Sequence, residues 1–520
     1  MPAIQRFSLP AYLLSAVLGL VLLTGLWYGL GKPVHLPDVA SASHKMQCAS
    51  YTPFGKDQSP FQKPLRISNE RMDIDLGILA KRFDCLRTYS VTGLEALPDL
   101  ARKHGLTLMI GAWVSRSPIE TQIEIKGAIK AANANPDIVK AVIVGNETLL
   151  RKEVTSKQLV KLISQVKSQI KQPVTYADVW EFWLKHPEIA PAVDFLTIHL
   201  LPYWEDDPAG IDTALSQVAK VRNLFTEKFA PKDILIGETG WPSEGRQRET
   251  ALPSRVNQAK FMRGFVTMAE ENGWHYNLIE AFDQPWKRAS EGAVGGYWGL
   301  YDADRNDKSV LAGSVSNLPD WPFWLGGSAL LYGAILLLTW RPQSMRYSLL
   351  QPLLVAVGVG CMGLWAELSL ITSRYIGEWL WAGALLVLNM VVLMHISLAL
   401  SENKDWRRTV FSWLDSRRHW WLIASGFAGA VMMLALVTDA RYRSFPSAAL
   451  LLPAVVYLWR PVAGFRRETL ALLLLIAAGI PLQLFEETLG NVQAIGWALV
   501  SALLGAALWR SLQQRQAQPS

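Results

Sequence analysis

The chain has 520 residues, half of them hydrophobic, and a formal net charge of +7. That apolar content excludes an ordinary soluble enzyme, and it is unevenly spread: residues 32–320 carry charges throughout, whereas 321–510 is a series of long apolar segments. Much of the basic excess falls in short loops between those segments, as in SENKDWRRTVFSWLDSRRH (401–419), so no nucleic-acid partner is expected.

From the N-terminus, AYLLSAVLGLVLLTGLWYGL (11–30) is uncharged over twenty residues, long enough to cross a bilayer. The small-residue pattern in HLPDVASASH (35–44) is weak for signal cleavage, so residues 11–31 read as a retained anchor behind a cytoplasmic N-terminus, 1–10.

Eight short β-rich runs then alternate with amphipathic stretches: 45–51, 83–89, 106–113, 139–146, 172–178, 193–200, 233–238 and 276–283. TSKQLVKLISQVKSQI (155–170) illustrates the helices between them, with Leu159, Leu162, Ile163 and Val166 on one face. Eight βα units over residues 32–320 predict an α/β fold, a closed (β/α)8 TIM barrel of the usual size of roughly 250 residues. Cys48 and Cys85 fall on neighbouring runs, where two small buried thiols are expected, with a disulfide as the alternative in an oxidising compartment. No cysteine and histidine spacing predicts a metal site, and no cofactor is expected.

Beyond residue 320 the expected spans are 323–340, 349–370, 378–400, 420–438, 446–459, 468–485 and 491–509, an all-α polytopic domain of about seven helices. Tryptophans stand near their ends, as at Trp340, Trp379, Trp420 and Trp459. Basic loops at 341–347, 401–419, 460–467 and the 511–520 tail place those four inside and residues 32–320 on the extracytoplasmic side.

A parallel barrel presents its chemistry where strands end and βα loops begin. Two carboxylates stand at such ends: Glu147 in VIVGNETLL (142–150), and Glu238 in ILIGETGWPSEG (234–245). Strands four and seven face each other across a barrel mouth, so the pair can act on one glycosidic bond, one protonating the departing oxygen and the other attacking the anomeric carbon. The other strand ends supply Arg87, Tyr89, Trp113, Asp178, Trp180, His199 and Tyr203, with Trp241, Trp286 and Lys287 beside the last two. Aromatic faces there are expected to stack on sugar rings, and polar edges to read hydroxyls.

These residues resemble a known family. GETGWPSEG (237–245) and VGNET (144–148) look like the two signatures of glycoside hydrolase family 17, the β-1,3-glucanases, with CLRTYSV (85–91) and GLY (299–301) similar to two further motifs. The resemblance covers about residues 45–310. It implies a retaining enzyme of β-1,3-glucan, with Glu238 as nucleophile, Glu147 as acid/base with a raised pKa, and Asn146 bonding the hydroxyl beside the reacting carbon. Plant members lack a membrane domain; this chain looks instead like bacterial members whose barrel is tethered to a multi-spanning region. The implied partners are β-glucan, the lipid bilayer and a glucan synthase. The rival reading is a polytopic exporter or scaffold whose barrel binds glucan without catalysis.

Overall fold

The computed structural model describes residues 9–39, 45–62, 67–340, 345–400, 406–439, 441–463 and 466–516. The start of the N-terminus, the small-residue stretch around 40–44 and parts of the three basic loops and of the tail lie outside them. The chain divides into two units, Val34–Glu244 with Thr250–Val315, and Met1–Pro33 with Gly245–Glu249 and Ser316–Ser520.

Helix α1 (Leu9–Gly31) belongs to the second unit. The first unit is a closed parallel barrel of eight strands in chain order. They are β1 (Met46–Ser50), β2 (Phe83–Arg87), β3 (Thr107–Ala112), β4 (Val139–Asn146), β5 (Val174–Val179), β6 (Leu196–His199), β7 (Ile234–Thr239) and β8 (His275–Leu278). Helices α2 (Asn69–Leu79), α3 (Leu97–His104), α4 (Pro118–Ala134), α5 (Ser156–Lys167), α6 (Trp180–Lys185), α7 (Ile211–Phe229) and α8 (Arg255–Glu271) alternate with them. All eight expected runs are strands. Ser68, Ser117 and Ser254 cap α2, α4 and α8 by accepting from the third helical N–H, and Thr155 with Gln158 forms a capping box on α5.

Side chains alternate along each strand, so one face of a run feeds the barrel interior and the other the helix layer. Cys48, Cys85, Met109, Ala141, Ile143, Ala177 and Leu235 form a small apolar cluster separate from the main core. Two residues further along β1 and β2 the same face carries Ser50 and Arg87, so the filling turns from apolar to polar towards the strands' C-terminal ends. Cys48 and Cys85 lie directly opposite each other in register and are joined by a disulfide. This corrects the expectation of two free thiols: neighbouring parallel strands bring their Cα atoms to 4.4 Å.

The second unit continues with α9 (Trp321–Thr339), α10 (Met345–Thr372), α11 (Ile376–Leu400), α12 (Trp406–Ser416), α13 (Arg418–Thr438), α14 (Ser447–Trp459), α15 (Arg466–Glu487) and α16 (Val492–Gln516). Seven of its helices, α1 included, are long and apolar enough to cross a membrane. The eighth stretch, read above as a span over 446–459, is a 13-residue helix. Residues 406–416, read above as loop, form the amphipathic α12, held by a ring stack of Phe411 on His395 and a hydrogen bond between Asp415 Oδ1 and His395 Nε2 (3.1 Å). Its pattern is that of an interfacial helix, a separate class from a span.

Candidate active site

Glu147 follows β4 and Glu238 lies on β7, one residue before its end. A carboxylate oxygen of each and a ring nitrogen of His199, from the end of β6, lie within 4.8 Å of one another. The expected pair is thus brought together. His199 is buried between the two acids, with Nδ1 at 3.2 Å from Glu147 Oε1 and Nε2 at 3.6 Å from Glu238 Oε1.

The backbone at β4 is bent to allow this. Gly145 has φ +83° and Glu147 φ +52°, and the β4–β5 register slips between Ile143 and Asn146. A Cβ at Gly145 would meet Thr148 Oγ1 at 2.5 Å in a conformation that only glycine adopts cheaply. The Glu147 N–H donates to Ala177 carbonyl (2.7 Å), which holds the left-handed residue in place. A non-glycine residue at positive φ is rare, and such strain collects at functional positions.

Glu238 is 4 % exposed, and its charge is met by buried donors. The Arg87 guanidinium donates to Glu238 Oε1 (3.1 Å) and to the Gly237 carbonyl (2.7 Å), and its other arm donates to Asn146 Oδ1. One side chain from β2 therefore ties the ends of β4 and β7. Because a guanidinium only donates, Asn146 must present its carbonyl oxygen to Arg87, which leaves its amide N–H groups for a ligand. The Tyr89 hydroxyl donates to Glu238 Oε1 (2.9 Å) and shares a bond with Ser50 Oγ (2.9 Å), itself held by Asn277 (2.8 Å). None of these bonds falls on Oε2.

Burial pushes the Glu147 carboxyl up, but the hydrogen bond and charge of His199, with Arg151 and Arg87, outweigh it and leave the group below its ordinary value. This corrects the expectation of a raised acid/base. Asp178, on β5, is raised to about 6 by burial and by the charge of Glu147, against a hydrogen bond from Tyr176.

The remaining expected residues divide. Trp113 is 36 % exposed and stacks on Arg151 (4.4 Å), whose guanidinium reaches to 3.9 Å from Glu147 Oε2. Trp286 is half-buried, edge-on to Phe54 and to the exposed Phe61. Lys287 donates to both oxygens of Glu280 (2.9 Å each). Tyr203 and Trp241 are fully buried, packed edge to face with each other, and Trp241 Nε1 donates to Leu252 carbonyl. Neither has a face to offer a sugar, so their expected role as platforms is corrected: both are core. His199 contacts carboxylates and has no open face either.

Sequence reasoning passed over Glu280 and Glu291. Glu280 is buried at the end of the eighth strand region, its carboxyl raised by burial against the pull of Lys287, and the charge of Glu238 acts on it. Glu291 is raised to about 7 by burial, with Lys287 opposing and with Glu280, Glu147 and Glu238 adding to it. Glu280 was open to the rule that picked Glu238, since it follows the apolar run YNLI. Glu291 ends a one-turn helix, Arg288–Glu291, that follows no apolar run and carries no such signal.

Residues 48–299 match the family model of the BtgE/BtgC glycoside hydrolase domain. A stretch of 233 residues is 31 % identical to a probable β-glucosidase of Aspergillus flavus, covering 43 % of this chain and 38 % of that one. Another, of 272 residues, is 27 % identical to a glucan 1,3-β-glucosidase of Arthroderma benhamiae, covering 49 % of this chain and 84 % of that one. The crystal structure of a glycoside hydrolase family 17 β-1,3-glucanosyltransferase from Rhizomucor miehei is similar over 51 % of this chain and 96 % of that one, at 25 % identity and a TM-score of 0.45.

Proposed function

We propose that this chain is a membrane-tethered retaining enzyme of β-1,3-glucan, a reading supported by the match of residues 48–299 to the model of the BtgE/BtgC glycoside hydrolase domain. Glu238 is its nucleophile and Glu147 its acid/base. The observation that carries this reading is the spacing of the two acids, within 4.8 Å at their nearest ligand oxygens. Retaining enzymes keep their carboxyls about 5–5.5 Å apart, inverting ones roughly 6.5–9.5 Å, to admit a water.

In the first half-reaction Glu238 Oε2 attacks the anomeric carbon while the glycosidic C–O bond breaks. The leaving oxygen takes its proton from Glu147. Arg87 and Tyr89, both on Oε1, hold and aim Glu238, and Asn146 offers its amide to the neighbouring hydroxyl. In the second half, Glu147 takes a proton from the acceptor, whose oxygen displaces Glu238 and restores the β-linkage. Water as acceptor gives hydrolysis. A sugar hydroxyl gives an elongated, branched or cyclised glucan.

The barrel works outside the cytoplasm, at a bacterial inner membrane. The Cys48–Cys85 disulfide suits an oxidising compartment, and the basic loops favour the opposite side for 341–347 and 401–419. A glucan synthase in the same membrane is the source of substrate in this reading.

The test is to incubate the full chain with a 2-deoxy-2-fluoroglucoside carrying an activated leaving group and to find the labelled residue by mass spectrometry. A glucosyl ester on Glu238 is expected; label elsewhere, or none, overturns the assignment and favours a glucan-binding scaffold. Sizing the products from laminari-oligosaccharides then separates transfer, which yields chains longer than the substrate, from hydrolysis.

A further inference from the structure

Between β7 and α8 the chain does something a surface loop does not need to do. Its first part, Gly240–Glu244, is fixed in the barrel unit: Trp241 is buried, and the Ser243 N–H and hydroxyl both donate to Tyr297 carbonyl (2.8 and 3.0 Å). The next five residues, Gly245–Glu249, belong to the helical unit. They are bracketed by two positive-φ residues, Gly245 (+117°) and Glu249 (+44°).

Within that unit Arg246 is 3 % exposed. Its guanidinium forms an ion pair with Glu487 at the end of α15, donates to Arg443 carbonyl (3.1 Å) and stacks over Phe445 (4.7 Å). Asn491, just before α16, donates to Glu487 Oε2 (2.7 Å) and to Gln247 carbonyl (2.9 Å). The Gln247 N–H donates to Gln493 Oε1 (2.9 Å), and its side-chain amide donates to Gly490 carbonyl (3.0 Å). Loops are ordinarily solvated and variable; here a buried charge is paired and the next peptide is bonded on both sides. All the receiving residues lie at 443–445 and 487–493, in the two connections that the charge rule assigns to the extracytoplasmic side.

We propose that the helical unit is a working part of the glycosidase: by holding Arg246 and Gln247 it positions the segment that leaves the nucleophile strand. Arg246 is then a positioning residue eight positions beyond Glu238. The route is physical and short. Ser243 accepts from Lys308 (3.0 Å), Lys308 pairs with Asp283 (2.9 Å), and Asp283 accepts from Gly299 N–H (2.8 Å), joining the loops after β7 and β8. A loosened segment slackens that cluster and, with it, the mouth of the barrel. The inference rests on Glu238 being the nucleophile.

The experiment uses the full chain in bilayer nanodiscs, with Arg246→Ala, Glu487→Gln, the double variant and Arg246→Lys. Each is assayed for kcat and KM on laminari-oligosaccharides and for the rate of Glu238 labelling. Expected are losses of about tenfold or more in kcat/KM for each single variant, carried by kcat. The double variant should be no worse than the worse single one, as coupled partners require, and Arg246→Lys should restore part of the loss. Should Arg246→Ala fail to accumulate in the membrane, Glu487→Gln, which keeps the side chain's shape, decides by the same readout. Variants that label and turn over at the wild-type rate overturn the positioning role while leaving the nucleophile in place. A wild-type chain that takes no label overturns the nucleophile and this inference with it.

Discussion

His199 is where the electrostatics of the two carboxylates meet, because each ring nitrogen faces one of them. It is also the leading cause that lowers the Glu147 carboxyl against its burial. Catalysis needs Glu147 protonated, so the alkaline limb of kcat/KM against pH follows the titration of this acid in the free enzyme. Replacing His199 by Asn removes the largest lowering influences and leaves burial, which raises the group, opposed only by the charges of Arg151 and Arg87. The alkaline limb should therefore move to higher pH, and an unmoved or lower limb would separate His199 from the acid/base. Glu147→Ala should cost about 10²–10⁴ in kcat on glucan, with far less loss on a substrate whose leaving group needs no proton. Arg87→Lys tests the planar fork: one ammonium cannot serve Glu238, Gly237 and Asn146 at once, so activity should fall although the charge is kept.

Strands and loops differ in how far the sequence declares them. The eight strands are legible because a parallel barrel buries them on both faces, which writes each as an apolar run. The carboxylates are legible because they interrupt such runs at the end where polar groups collect, and Glu280 could have been read in the same way. The rim aromatics are not legible at this level. Trp113 and Trp241 both follow a strand end, yet one is 36 % exposed and the other fully buried. The difference lies in loop packing: Trp241 is covered by Tyr203 and Phe261, contributed by distant segments. The disulfide was likewise beyond composition, since it depends on Cys48 and Cys85 sharing a register. It closes a separation of 37 residues between β1 and β2, for which loop-closure entropy gives about 4 kcal/mol. The double variant Cys48→Ala/Cys85→Ala should lose stability of that order, read as a lower urea midpoint for the barrel. A shift near zero would mean that the strand pairing alone holds the two runs together.

Taken whole, the described residues form two large apolar cores, one around the barrel and one among the helices, so a single unfolding midpoint is not expected to describe the molecule. The barrel's own stability should depend on pH in a direction set by its buried acids. Burial raises Asp178 to about 6, Glu291 to about 7 and Glu205 to about 8, the last also through the charge of Glu181. Unfolded, these groups return to about 4, so between about pH 4 and 8 the folded barrel binds more protons than the unfolded one. Stability is then fully present near the lower end of that window and is lost as the pH rises through 6, 7 and 8. The carboxylates held below their ordinary values, among them Glu147, Asp194 and Asp137, have finished titrating under both conditions at pH 5 and above and do not reverse the trend. Pulse proteolysis of the detergent-solubilised chain across a urea series reads the barrel separately from the helices. Its midpoint should be higher at pH 5 than at pH 8.5, and Glu205→Gln should flatten the upper part of that slope. A midpoint that rises with pH would mean that the buried acids are ionised in the folded barrel and matched by cations.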